Sequence, residues 1–159
     1  YTVLTSSAAS DVYKRQAVRV HSSCRLSHLA LQAAVEELGR RQSLKRITGG
    51  VHGAAWCNVQ GEIELVREDV GRHNALDKLM GALRGGAHST DGFALVTSRA
   101  SYEMVAKAAR CNIAVLAAVS APTSLAVKQA ELSEVTLVGF LQPGRQVIYA
   151  NGHRIVEER

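Results

Sequence analysis

Aromatic residues make up only 4% of this 159-residue chain, and proline occurs twice. So few rings argue against an aromatic-rich β-sandwich and leave small aliphatics to fill the interior, which favours helices packed closely on a sheet. They also leave no aromatic interleaving on which bases could stack. With no helix-turn-helix or zinc-finger spacing either, nucleic acid is not an expected partner. Cysteine occurs three times, at Cys24, Cys57 and Cys111. An odd number at wide spacing argues against a disulfide framework and for a reducing, cytoplasmic compartment. No apolar run approaches the roughly 20 residues that cross a bilayer, and the first residues have no apolar core followed by a cleavage site, so neither membrane association nor export is expected.

What the chain does have is 47% hydrophobic residues, a formal charge of +5 and an isoelectric point near 9.4. That content suffices for one α/β domain with a substantial core, and the charge favours anionic partners, a phosphate-bearing cofactor among them. Residues 17–159 are assigned to this domain. Residues 1–16 show no clear period and begin without methionine. Asp11-Val12-Tyr13-Lys14-Arg15-Gln16 resembles a translated transposon-end adapter, so 1–16 are expected to be a non-native or disordered tail.

The densest feature is Glu68-Asp69-Val70-Gly71-Arg72-His73-Asn74-Ala75-Leu76-Asp77-Lys78, with five charged side chains and a histidine around one glycine. It follows a strand-like stretch, 63–66, and opens a helix whose Leu76, Leu79, Met80 and Leu83 recur at helical spacing. Arg72 and His73 fall at the head of that stripe, beside the free amides of a helix start, where anions bind readily. The pattern of strand, polar loop and helix returns twice. Residues 93–97 precede Ser98-Arg99-Ala100-Ser101 and a helix over 102–110, with the serines as hydroxyl caps. Residues 113–119 precede Ser120-Ala121-Pro122-Thr123-Ser124, with Pro122 suited to a first helical turn. Parallel sheets bind ligands at the carboxyl ends of their strands, so the three loops are expected to face one crevice.

Elsewhere, Leu31, Ala34, Val35 and Leu38 share a helix face that Gly39 is placed to end. A basic connector, 40–46, leads to Thr48-Gly49-Gly50-Val51-His52, whose glycines allow a tight turn. Residues 54–59 and 62–66 read as a hairpin through Gln60-Gly61. A second hairpin, 136–141 and 146–149, turns at Pro143-Gly144, a pair suited to a type II turn. Glu68 and Asp69 are equally readable as a solvated turn before a helix, His52 and His73 as structural histidines, and Glu103 as a solvent-facing side chain.

Five blocks in order carry a family resemblance: Thr48-Gly49-Gly50-Val51-His52, Glu68 to Asn74, Ser98-Arg99-Ala100-Ser101-Tyr102-Glu103, Ser120 to Ser124, and Leu137-Val138-Gly139-Phe140. They resemble the FdhD family, formate dehydrogenase accessory sulfur carriers. The resemblance implies a cytidine-deaminase-like α/β fold, a three-layer sandwich around a mixed, partly parallel sheet. It implies a sulfurtransferase that takes persulfide sulfur from a cysteine desulfurase and passes it to the molybdenum cofactor, the bis-molybdopterin guanine dinucleotide form, for formate dehydrogenase. A homodimer is also implied. The family's cofactor-binding segment matches Phe140-Leu141-Gln142-Pro143-Gly144-Arg145. Independently, Arg72, Arg99 and Arg145, with His73 beside the first, are the groups suited to phosphates, because guanidinium pairs bidentately with phosphate oxygens.

The chain departs from the family where the sulfur is carried. Family members hold it on a CxxC motif upstream of the matched region, and this sequence has no CxxC. The catalytic cysteine is therefore unassigned. Cys24 is nearest by position, but Ser22, Ser23 and Arg25 around it do not reproduce the family pattern, and Cys57 and Cys111 read as packing residues. Two alternatives stand beside the sulfur carrier. A non-catalytic cofactor-binding module or chaperone would need only the crevice. A zinc hydrolase of the deaminase type would need H-x-E and PCxxC to hold metal and shuttle protons, and neither occurs, so no metal site is expected.

Overall fold

The computed structural model of the protein describes residues 17–157. The expectation for residues 1–16 lies outside them. The elements in order are β1 (Leu26–Ser27), α1 (His28–Arg41), α2 (Ser43–Thr48), β2 (His52–Asn58), β3 (Ile63–Asp69), α3 (Arg72–Gly85), β4 (Gly92–Val96), α4 (Tyr102–Arg110), β5 (Val115–Ala118), α5 (Ser124–Ser133), β6 (Thr136–Gln142), β7 (Arg145–Ala150) and β8 (Ile155–Val156), with a short 3-10 turn over Gly152–Arg154.

Six strands form an open sheet in the order β3-β2-β4-β5-β6-β7. The pairs β4-β5 and β5-β6 are parallel, and β2-β3, β2-β4 and β6-β7 are antiparallel. Strands β3, β4, β5 and β6 therefore run in one direction, and β2 and β7 run against them. Crossover helices α4 and α5 satisfy the demand of two successive parallel pairs for long connections. Each strand from β4 to β6 is apolar at nearly every position because both sheet faces are covered, the pattern of a doubly buried strand.

The cover on the two faces is distinguished by strand parity. Trp56 of β2 faces a cavity it shares with Met80 and Leu83 of α3, whereas Gly53, of opposite parity, abuts Gln42 at the end of α1. Helix α3 is tied to α4 by the Lys107–Asp77 ion pair at 2.8 Å, and α4 packs on α5. Thus α3, α4 and α5 cover one face and α1 the other, giving the sandwich anticipated from the family blocks. Phe93, Leu95, Leu116 and Leu137 in the sheet and Leu31, Leu76, Leu79 and Met104 on the helices are all fully buried.

Both hairpins form. At the first, Asn58 Oδ1 accepts from the amides of Gln60 and Glu62 at 3.0 Å, and Gly61 adopts φ +87°. At the second, Gly144 adopts φ +77°, the left-handed value that the third position of a type II turn requires after Pro143. Four local readings change. Gly39 does not end α1, which continues to Arg41 because buried Leu38 still packs beneath that turn. The basic connector is largely the short helix α2, which buries none of its own residues and ends on Gly49 at φ +69°. Glu68 and Asp69 extend β3 rather than forming a turn, since their register continues against Gly53 and His52. Pro122 lies before α5, in a bridge to Ala100, and Thr123 is the cap.

The hydroxyl caps divide in an informative way. Thr123 Oγ1 accepts from the Ala126 amide at 3.1 Å, whereas Ser101, at the same position before α4, makes no capping bond. Ser98 Oγ instead donates to the Arg99 carbonyl at 2.9 Å. Thr123→Ala is expected to cost about 1 kcal/mol, read as a lowered urea midpoint, while Ser101→Ala leaves the midpoint within about 0.5 kcal/mol of the parent.

Candidate functional site

Because β3, β4, β5 and β6 point the same way, the loops that follow them gather at one end of the sheet. Three backbone bonds stitch them together. Val119 donates to the Val96 carbonyl, Thr123 to Ala100 and Phe140 to Ser120, at 3.0, 3.0 and 3.1 Å. The amino end of β2 joins the same rim, where Gly53 N donates to Thr97 Oγ1 at 2.9 Å.

At the first loop, Asp69 anchors the start of α3. Its carboxylate accepts from the Gly71 amide at 2.9 Å and pairs with Lys78 at 2.6 Å, with Asn74 adding a longer bond at 3.4 Å. Lys78, then the Gly71 amide, hold its carboxyl down to about 2, against an ordinary 3.8. This is a structural carboxylate. A depressed folded value means that its contribution is present above about pH 4 and is lost as pH falls through about 2. The stability difference between the parent and Asp69→Asn, measured by urea unfolding across pH, is expected to be full at neutrality and to vanish over that interval. Glu68 is structural too, since its two carboxylate oxygens accept from the Leu44 and Lys45 amides at 2.9 and 3.1 Å and cap α2 from a neighbouring strand.

Arg72 and His73 have a different environment. The Nε of Arg72 is buried without a hydrogen-bond partner among the described residues. Across from them Glu103, exposed at the start of α4, has its carboxyl held below the ordinary range, chiefly by its own backbone N–H, with Ser101, His73 and Arg72 acting in the same sense. The structure therefore brings Arg72, His73, Ser101 and Glu103 together from two helix starts. Glu103 was not singled out as a site residue by sequence, because a carboxylate in a first helical turn is ordinary.

The rest of the rim is a row rather than a single cluster. Arg99 is exposed on the next loop and has no ion-pair partner among the described residues. Phe140 follows at φ +49° in an irregular part of β6, with the Arg145 guanidinium 4.6 Å over its ring. Leu141 is buried, while Gln142, Pro143, Gly144 and Arg145 are exposed. Gln32 of α1, missed by sequence because it is far away along the chain, secures this hairpin. Its oxygen accepts from Gly144 N at 2.8 Å and its amide donates to Arg145 O at 3.2 Å. Arg72 opens α3, which follows one edge strand, and Arg145 opens β7, the other edge strand, so the two stand at opposite ends of the row.

The thiols lie elsewhere. Cys24 and Cys57 are buried; burial pushes the Cys24 thiol up and the Cys57 thiol up to about 12. Cys111 is partly exposed, at the end of α4, which is the opposite end of the sheet. Among the described residues no group of three or more His, Cys, Asp or Glu could hold a metal ion, and no helix is long and apolar enough to cross a membrane.

An open, mixed α/β sandwich with exposed arginines along the rim at the carboxyl ends of its co-directional strands defines the class of protein by fold. Comparison with known proteins narrows this class. A profile described as the FdhD/NarQ family matches residues 3–156, and the chain belongs to that family. It is 52% identical over 137 residues to the sulfur carrier protein FdhD of Xanthomonas euvesicatoria pv. vesicatoria, covering 86% of this chain and 49% of that protein. It is 55% identical over 129 residues to the sulfur carrier protein FdhD of Cupriavidus necator, covering 80% and 45%. A crystal structure described as that of a formate dehydrogenase accessory protein from Desulfotalea psychrophila superposes with a TM-score of 0.81 at 30% identity, over 91% of this chain and 62% of that one. The chain thus spans about half the length of the curated relatives it matches.

Proposed function

We propose that this chain is the cofactor-holding part of a cytoplasmic sulfur carrier that matures formate dehydrogenase. In this reading a cysteine desulfurase supplies persulfide sulfur, the whole protein acts as a homodimeric sulfurtransferase, and the sulfur passes to bis-molybdopterin guanine dinucleotide held as cargo. The observation that carries it is the buried Nε of Arg72, without a partner among the described residues, beside His73 and Ser101 at one end of a row of cations, in a chain of the FdhD/NarQ family.

The residues fit such a ligand. Arg72 Nε is a donor that burial leaves without a partner among the described residues, and a buried donor of this kind costs free energy until something accepts from it. Arg72, His73 and Arg99 would hold phosphate oxygens at the starts of α3 and α4, where helix dipoles favour negative charge. Phe140, Leu141, Gln142, Pro143, Gly144 and Arg145 would bind at the far end, with Gln32 fixing the hairpin and the Phe140 ring lying 4.6 Å from the Arg145 guanidinium. The cofactor, when bound, supplies the metal centre that receives the sulfur. The chain's own part is to bind and orient.

A second reading, a cofactor-binding module or chaperone without sulfur chemistry, is favoured by the placement of the thiols, two buried and the third at the other end of the sheet. Equilibrium binding of guanosine diphosphate to the chain, combined with transfer of labelled sulfur from a desulfurase to the longer protein, separates the two. Binding with sulfur transfer supports the carrier, and binding without it supports the module. No binding would count against both.

A further inference from the structure

At the opposite end of the sheet from the rim lies a cavity of about 560 Å³, between the carboxyl ends of α3 and α4 and the starts of β4 and β5. One wall is apolar, from Trp56, Met80, Leu83 and Ile113, and the polar lining includes Arg84, His88, Arg110 and Cys111, with no carboxylate among the described residues. A shallower depression of about 260 Å³ continues past Arg84 and Cys111, and Asp77, the one carboxylate among the described residues that line it, is already paired with Lys107 at 2.8 Å. Arg84 and Arg110 are exposed and have no ion-pair partner among the described residues. Two unneutralised guanidinium groups over an apolar wall favour a small molecule that carries carboxylates on a partly apolar body.

The sulfur sits where the two hollows meet. Arg84 Nη2 donates to Cys111 Sγ at 3.9 Å. The position is fixed from both sides, because Cys111 N closes the end of α4 on the Lys107 and Ala108 carbonyls, and the Asn112 side chain exchanges two hydrogen bonds with the backbone of His21, at 2.8 and 3.0 Å. The wall is likewise held, with Trp56 Nε1 donating to Ser89 O at 3.0 Å. Cys24 and Cys57 offer no competing surface, being 4% and 0% exposed.

We propose that this cavity is an anion-guided thiol-modification site, in which Cys111 forms a mixed disulfide with a small disulfide bearing carboxylates, a glutathione-type peptide being the fitting chemistry. Arg84 and Arg110 draw in the carboxylates, and the apolar wall receives the remainder of the molecule. Cys111 releases its proton to solvent and its thiolate attacks one sulfur of the disulfide. The new S–S bond forms as the old one breaks, and the departing thiolate takes up a proton, so Cys111 is oxidised, one half of the reagent is reduced, and no other oxidant enters. The site is independent of cofactor binding at the far rim.

The test treats the chain with oxidised glutathione and, separately, with neutral hydroxyethyl disulfide, following the adduct by intact mass and locating it by peptide mapping. The expected adduct is on Cys111, and Cys111→Ser abolishes it. The rate with oxidised glutathione is expected to fall roughly three- to tenfold in Arg84→Gln/Arg110→Gln, and to fall as salt is raised from low ionic strength, whereas the rate with the neutral reagent changes little in either case. Both arginines are exposed, and the salt series uses the unaltered chain, so the result does not depend on a variant's folding. Modification first at Cys24 or Cys57, no adduct with oxidised glutathione, or equal sensitivity of the two reagents to charge and salt would overturn the proposal.

Discussion

Replacing Arg72 by glutamine is expected to weaken guanosine diphosphate binding by about ten- to a hundredfold. The magnitude follows from the roughly 1.5–3 kcal/mol that a hydrogen bond to a charged group contributes, at 1.4 kcal/mol per tenfold in affinity. Arg72 Nε has no partner among the described residues to give up, so the loss falls on the ligand and leaves the fold intact. Arg72→Lys restores the charge but not the planar fork, and is expected to recover only part of the affinity. Ser101→Ala extends the argument, since its hydroxyl caps nothing; it is expected to weaken binding at unchanged stability. Isothermal titration beside urea unfolding reads both quantities. Parent-like affinity in Arg72→Gln would remove this end of the rim from the proposed site.

Gly61→Ala is expected to destabilise the protein by about 2–5 kcal/mol, a drop in Tm on the order of 10 °C. Two costs combine there. Gly61 sits at φ +87°, and its missing Cβ would run into the backbone of Ala30 on α1, atoms that no rotamer change can move. The left-handed conformation contributes about 1–2 kcal/mol and the overpacking about 1–3. Gly144→Ala is the matching control, with φ +77° but open space around the added carbon. It is expected to cost only the conformational part, about 1–2 kcal/mol. Calorimetry of the two variants side by side separates backbone conformation from the close approach of α1 to the first hairpin. Equal losses would mean that α1 yields at Ala30.

Much of the architecture was legible because local signals agreed with the global fold. The apolar runs at 93–97 and 113–119 became β4 and β5 since strands covered on both faces carry little polar punctuation. The spacing of Leu76, Leu79 and Met80 placed the buried face of α3 correctly. Pro143-Gly144 gave its turn because one ring and one missing Cβ fix both dihedrals. The failures have physical reasons of equal clarity. Gly39 carries the cost of a helical glycine, but packing of Leu38 outweighs roughly 1 kcal/mol of propensity. Nothing in residues 40–46 reveals a helix, because α2 buries no side chain and depends on Glu68, more than twenty residues away, for its first amides.

The sequence alone determined the family, the α/β class and the identity of the polar loops, since residue types at turns, caps and doubly buried strands are constrained locally. Tertiary structure decided what those residues do. Asp69 and Glu68 became anchors because Lys78, Gly71 and the amides of α2 come within hydrogen-bond reach, while Arg72 stayed available because nothing described accepts from its Nε. The shared direction of β3, β4, β5 and β6, set by strand order rather than by any one segment, turned separate loops into one rim. The same order placed Cys111 and its arginines at the other end, a pairing of distant residues that chain spacing cannot encode.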